Sequence, residues 1–508
     1  MEKNSINVAE KLHSLSNEEL ITLVNTLEEE RGSLVSQVGE LAIELKHVKK
    51  KNSDLHRRVV LNQKTGLPNH VKANEDINQL LEKRLEQEDL SSIAFILLKL
   101  NENFEAINKA LKPTISEWVL YQIAVRLTDL CGLENLVYHT REDEFLIVFQ
   151  DINDERRLQM FLQLLNEEIK RPHIFSGYNI SIDSSCGVSL FPKHGLDRNT
   201  LLHNSDIALS YAFKQKLNYT IFTEEISDLV IQKMELQNSI IKALEDQAIK
   251  EIDKQFYLNY QPIVTIEVHD KSYKINEIRT EALIRWNHPD KGGISPDDFI
   301  PLAEETGLII PLGNWVIFSA ARQLKSWKER KVDGTILSVN VSPRQFYDPD
   351  LVDTFIHLTE RYGIKPVNLK IELTENSLID NPIDAINKLN QLKEAGFSIS
   401  LDDFGTGYSS LNYLKDLPVD TVKIDKSFVN KVHTCKLDHS ILKGILYFIR
   451  ELKLDLIIEG VETETQLKTL VDLGCRSFQG YYFSKALGDE DFIQYKKDNL
   501  NKVFHFSK

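Results

Sequence analysis

The chain is short of cysteine, long apolar runs and positive charge, and each shortage removes a class of protein. Its four cysteines (Cys131, Cys186, Cys435 and Cys475) are widely spaced and form no Cys-x-x-Cys pair. That excludes a disulfide framework and a thiolate zinc site, and suits a reducing compartment. No apolar stretch approaches the ~20 residues that cross a bilayer, and the opening MEKNSINVAEKLHS has no signal-peptide core. The expectation is a cytoplasmic protein without membrane insertion. Lys and Arg number 61 against 76 Asp and Glu, a net charge of −15, which is the wrong sign for binding a nucleic-acid polymer. What remains is an ordinary globular composition, 42% hydrophobic and 27% charged. At 508 residues it is too long for one core and predicts several domains.

Residues 1–60 carry a heptad pattern. Leu20, Leu27, Leu34, Leu41, Val48 and Leu55 fall on d, and Val24, Arg31, Val38, Leu45, Asn52 and Val59 on a. Leucine at d with a single Asn at a predicts a two-stranded parallel coiled coil, hence a homodimer. The alternative is one amphipathic helix packed on its own chain, but the a/d seam is narrow for that.

Residues 61–223 alternate strand and helix. SSIAFILLKL is strand-like, LVYHT and FLIVFQ flank REDE as a hairpin, and ISIDSSCGVSLF reads as one long strand. The expectation is an α+β domain, an antiparallel-rich sheet with helices on one side. Residues 224–248 have no Pro or Gly and read as a linking helix.

From residue 249 onward eight strand candidates appear: FYLNYQPIV, RTEALIRW, ILSVNVS, LKIELTE, SISLDD, DTVKID, LDLIIEG and RSFQG. Repeated βα units predict a TIM-type (β/α)8 barrel. TIEVHDKSYKINE is too short for a crossover helix, so the first strand should lie antiparallel to the second and modify the barrel. Glu281, Glu372, Asp402, Asp403 and Glu459 sit at or just past strand ends, where barrel strands converge on one rim. Two carboxylates ~4 Å apart repel by roughly 4 kcal/mol at a surface-like dielectric. Protons or hard cations must therefore relieve the cluster, and cations imply metal-dependent chemistry on an anionic substrate.

The motifs carry two family resemblances. Residues 61–223 resemble a GGDEF (diguanylate cyclase) domain through TGLPN at 65–69, Asp143-Glu144-Phe145, and the SSCGVSLFP and LLHNSDIALSYAFKQKLN stretches. The signature glycines are replaced by Arg141 and Glu142, no Asp occurs from 91 to 110, and Lys99 stands near the place of the family's metal aspartates. This copy is expected to be degenerate and without cyclase activity. Residues 249–508 resemble an EAL domain, the cyclic di-GMP phosphodiesterases, through EALIRW, NVSP, ELTE, DDFGTGYSSL, KID, EGVE and QGYYFSK in order.

The EAL resemblance implies two Mg²⁺ or Mn²⁺ ions and hydrolysis of cyclic di-GMP to linear pGpG. It implies Glu281, Asn340, Glu372 and Asp402 as ligands of one ion, with Asp402 bridging to a second completed by Asp403 and Glu459. Lys423 would orient water or stabilise charge, or else form a structural pair with Asp425. Glu462 would assist proton transfer, and Glu375 would anchor the DDFGTGYSSL loop or be an exposed strand-end acid. Gln261, Leu283, Arg285 and Gln479 would contact substrate, although the two glutamines also fit satisfied core amides. The alternative function is a non-catalytic cyclic di-GMP receptor that signals by dimer rearrangement, with an unidentified regulatory protein as a further partner.

Overall fold

The computed structural model describes residues 16–101, 104, 107, 113–132, 135–150, 152, 154–175, 177–249, 255–269, 272–332, 334–378, 381–405 and 414–506. It divides into two units, Met1–Ile231 and Gln232–Lys508.

The first unit opens on helix α1, Asn17–Val60, started by a capping box. The Glu19 N–H donates to the Ser16 hydroxyl and the Ser16 N–H to the Glu19 carboxylate, satisfying two otherwise orphan donors. The heptad seam is uncovered: Leu27 is 54% exposed, Leu34 61%, Val38 64% and Leu41 63%. The helix packed on its own chain is therefore not what forms. The side chains of Asn52 and Leu55 lie outside the described residues.

A five-stranded sheet follows in the order β2-β3-β1-β6-β7, with β1 Ile93–Leu100, β2 Leu136–Arg141, β3 Glu144–Phe149, β6 Ser184–Phe191 and β7 Tyr219–Ile221. Helices cover both faces, not one. Ala94, Ile96 and Leu98 of β1 pack with Val119 and Ile123 of α3 (Pro113–Cys131) and Leu162 of α4 (Glu155–Lys170). The alternate residues Phe95 and Leu97 pack instead with Ile77 and Leu81 of α2 (His70–Glu86) and Leu209 of α5 (Arg198–Lys214). A continuous apolar run such as IAFILL is the mark of a strand buried on both faces. The run ISIDSSCGVSLF is not one continuous strand. It is broken at Ser181–Asp183, and its first part joins β5, Tyr178–Ile180, which among the described residues pairs with β4, His173–Phe175, alone. At Gly187 of β6 an added Cβ would lie 2.1 Å from the Leu209 amide nitrogen and the Ser205 carbonyl oxygen, so glycine there lets α5 sit directly on the sheet.

Helix α6, Glu224–Ile249, leads into the second unit, where Ile240 and Ala243 are fully buried with Phe256, Trp286 and Phe299. The strands β9-β11-β12-β13-β14-β15-β16-β8 close on themselves through β8–β9. They are β8 Phe256–His269, β9 Ser272–His288, β11 Leu337–Val341, β12 Leu369–Thr374, β13 Ile399–Phe404, β14 Thr421–Ile424, β15 Asp455–Ile458 and β16 Ser477–Gln479. Strand β8 is antiparallel to both neighbours and the others pair parallel, giving the modified eight-stranded barrel. The segment TIEVHDKSYKINE is not a loop but continues both strands into a long hairpin. Short strands β10 (Gly292–Ile294) and β17 (Val503–His505) extend β9 outside the barrel. No helix among the described residues is long and apolar enough to cross a membrane.

Candidate active site

The acidic residues come together on the carboxyl rim of the barrel. Glu281 stands on β9, Asn340 on β11, Glu372 on β12, Asp402 and Asp403 on β13, and Lys423 on β14, while Glu459 follows β15 directly. Carboxylate oxygens of Glu281, Glu372 and Asp402 lie within 4.8 Å of one another, and so do those of Asp402, Asp403 and Glu459. Asp402 belongs to both triads.

Backbone geometry explains how two consecutive aspartates serve one site. Successive strand residues face opposite sides of a sheet, so Asp402 and Asp403 should diverge. Strand β13 shifts register between Leu401 and Phe404, and Asp403 takes a left-handed φ of 52°. A bulge with an Asp in this region turns both carboxylates toward the rim. The Asp403 N–H also donates to Asp402 Oδ1 at 3.0 Å.

Lys423 occupies the middle of the cluster. Its ammonium lies 2.6 Å from Glu459, 2.7 Å from Glu372, 3.2 Å from Glu281 and 3.3 Å from Asp402, with the side chain 1% exposed. Asp425 is not its partner, because the Asp425 carboxylate accepts the Ser427 N–H and caps a short helical turn. Burial works against the charge on Lys423, yet the four carboxylates keep it firmly protonated. Burial likewise opposes ionisation of Glu281, but Lys423 and the amides of Gln479 and Asn340 hold its pKa below the usual value. Burial dominates elsewhere. It raises Glu459 to about 8 and Glu372 to about 7 against the pull of Lys423, with Asp402 and Glu281 adding repulsion. Asp402 and Asp403 are raised too, by burial first.

The donor set fits hard cations. All the candidate ligands are oxygen donors, and the buried Glu372 Oε1 has no hydrogen-bond partner among the described residues. Fully ionised, five carboxylates and one lysine leave a net charge of 1 − 5 = −4, which two divalent cations balance.

The remaining candidates divide. Gln479 Nε2 donates to Glu281 Oε2 at 2.8 Å and to Gln261 Oε1 at 3.2 Å, and Asn340 Nδ2 donates to Glu281 Oε1 at 2.6 Å. Gln479 thus orients Glu281, and Gln261 in turn holds Gln479. Leu283 and Arg285 line a cavity of about 460 Å³ that also reaches Asn340, Asp402 and Asp403. Glu375 follows β12 with Oε2 buried and unpartnered among the described residues, so it is not simply an exposed acid. Most of the DDFGTGYSSL loop lies outside those residues. Glu462 is exposed beyond β15 and belongs to neither triad.

In the first unit the hairpin acids meet cations from the chain itself. Lys99 Nζ is 3.9 Å from Asp143 and Arg141 Nη1 3.4 Å from Glu144. The Thr140 hydroxyl adds a bond to Glu144 at 2.9 Å.

A closed barrel with an acidic, cation-fitting rim, in a chain that also carries an α+β unit, is the class of protein that fold and site define. Residues 242–486 match the EAL domain family, and residues 59–219 match the family described as diguanylate cyclase, GGDEF domain. The chain belongs to these families, with one domain of each. It is 30% identical over 442 residues to the cyclic di-GMP phosphodiesterase PdeR of Escherichia coli, covering 86% of this chain and 63% of that protein. It is 31% identical over 443 residues to the bifunctional diguanylate cyclase/cyclic di-GMP phosphodiesterase MucR of Pseudomonas aeruginosa, covering 87% and 62%. The chain therefore spans less than two thirds of the length of these curated relatives. A solved complex of the PaMucR phosphodiesterase with c-di-GMP is 38% identical, covering 49% of this chain and 99% of that one, with a TM-score of 0.45.

Proposed function

We propose that the barrel hydrolyses cyclic di-GMP to linear pGpG with two divalent cations, Mg²⁺ or Mn²⁺. The observation that carries this reading is the pair of carboxylate triads sharing Asp402 around one buried lysine. Glu281, Asn340, Glu372 and Asp402 would hold one cation, and Asp402, Asp403 and Glu459 the other. Bound there, the cations supply a water nucleophile at neutral pH and counter-charge for the phosphate. Gln479 and Asn340 fix the rotamer of Glu281. The Lys423 ammonium, held on the rim, stabilises negative charge that develops there. Arg285, with one guanidinium nitrogen on the Ile284 carbonyl, keeps further donors for a phosphate.

The GGDEF domain is read as regulatory or architectural, without cyclase activity. Arg141 and Lys99 neutralise the acids that a catalytic copy would offer to metal. The uncovered seam of α1 is read as pairing with a second copy of the chain.

The test is chromatography of purified protein with cyclic di-GMP and Mn²⁺. Time-dependent pGpG, abolished in Glu281→Ala, is the expected result. Metal-dependent binding without turnover would instead establish the receptor.

A further inference from the structure

The cavity lined by Asn340, Asp402 and Asp403 of the acidic rim is lined as well by helix α7, Pro296–Thr306. Pro296, Ile300 and Glu304 are spaced four apart, so one helix face presents all three to the cavity. Ile309 and Leu312 of the following helix, α8 (Ile309–Glu329), form an apolar wall beside them. The adjacent Glu305 pairs with Lys233 at 3.4 Å. The Glu304 carboxylate has no hydrogen-bond or ion-pair partner among the described residues, and burial pushes its pKa up. A half-buried carboxylate against apolar walls is costly unless a ligand brings donors to it.

We propose that Glu304 is a specificity-determining residue that accepts the N1–H and N2–H donors of one guanine of the substrate, in a slot walled by Ile300, Ile309 and Leu312. The assignment rests on the phosphodiesterase reading above and deepens it. Guanine offers two adjacent N–H donors on its Watson–Crick edge, which match the two oxygens of a carboxylate. Adenine presents an unprotonated N1 there and no 2-amino group, so its lone pair would face the anion. A site built to accept donors rejects an analogue that lacks them, because its polar group is then left buried and unpaired. Arg285 and Asp402 line the same cavity, so a base on Glu304 and a phosphate at the rim can be held together.

The experiment compares full-length parent, Glu304→Ala and Glu304→Gln for KM toward cyclic di-GMP and cyclic di-AMP with Mn²⁺, and for Kd of both by dialysis in EDTA. Circular dichroism melts check that each variant folds. In Glu304→Ala the KM and Kd for cyclic di-GMP should rise about 10- to 100-fold, with a smaller rise in Glu304→Gln. Values for cyclic di-AMP should stay level or fall, so discrimination collapses. Equal losses for both dinucleotides would overturn the proposal, since the contact would then be to ribose or phosphate. So would a change below about threefold, or a parent that binds both alike. A parent that discriminates in binding but does not hydrolyse would leave Glu304 assigned and sink the phosphodiesterase reading.

Discussion

In the GGDEF domain two of the three hairpin acids are each met by one cation of the chain, Asp143 by Lys99 and Glu144 by Arg141, while Glu142 is exposed. In the EAL domain a single lysine faces four carboxylates, and a fifth, Asp403, stands beside them. Lys99 is 42% exposed where Lys423 is 1% exposed. The first cluster is short by one positive charge, 2 − 3 = −1 with the exposed Glu142 counted, and although Glu144 is buried, Arg141 and the Lys99–Asp143 pair reach water, so its need of an external ion is smaller. The second is buried and short of positive charge, and only added cations or protons can complete it. The balance of charge, more than the presence of acids, separates the two clusters.

The strongest way to break this comparison is to remove the lysine from the more charge-deficient site. Lys423→Met leaves four carboxylates facing one another. Taking one partner from a buried ionic cluster costs about 3–5 kcal/mol, so the EAL domain should melt markedly lower in EDTA and turnover should fall at least about 100-fold. Trp286, Trp315 and Trp327 lie in that unit and report its melt by fluorescence. Unchanged melting in EDTA would show that the cluster is not charged as described.

The converse change should deepen the charge deficit of the remnant. The triple variant Lys99→Asp, Arg141→Gly, Glu142→Gly should gain a Tm shift with Mn²⁺-GTP that the parent lacks. Ligand at about 100 times its Kd would stabilise by roughly 2.7 kcal/mol. An equal shift in the parent would contradict the reading of its GGDEF domain.

The two domains should also respond to pH with opposite slopes. In the first unit burial, then the charge of Arg126, lowers His173 from 6.5 to about 4. Between those values the unfolded chain takes up a proton that the fold refuses, so stability falls as pH drops. In the metal-free barrel Glu372 and Glu459 are raised from 4.5 to about 7 and about 8. The fold there keeps protons that the unfolded chain has lost, so stability falls as pH rises from about 5 to 8. Saturating Mn²⁺ displaces those protons and should flatten the second slope. Hydrogen exchange resolved by peptide measures both domains in one sample, and parallel slopes would refute the assignment.

A smaller effect sharpens the bulge at Asp403. Asp403→Gly removes a side chain from a left-handed φ of 52° and should raise metal-free stability by up to about 1 kcal/mol. The same change should weaken Mn²⁺ binding in calorimetry. Lower stability with unchanged binding would argue that Asp403 is structural.

Much of the barrel was legible because its strand ends carry contiguous motifs with acids spaced by helical segments. The two-faced sheet was legible as well, in IAFILL, but the antiparallel hairpin pattern suggested a one-sided cover. The break at Ser181–Asp183 left no comparable mark, since ISI and SSCGVSLF are both strand-like. Adjacent Asp402 and Asp403 gave no sign of the bulge that aims both at the rim, because local sequence does not report register. Glu304 was missed for a related reason. Its tandem with Glu305 reads as a solvated pair until α7 is placed against the cavity. Glu462, carried by motif alone, is exposed and belongs to neither triad.

The central claim is that this chain keeps a competent EAL site beside a closed GGDEF remnant. One reaction tests it most directly: full-length protein with GTP, cyclic di-GMP and Mn²⁺, all nucleotides followed by chromatography. The account predicts that cyclic di-GMP disappears, pGpG accumulates and GTP is untouched. GTP falling while cyclic di-GMP rises, with no pGpG formed, would contradict it.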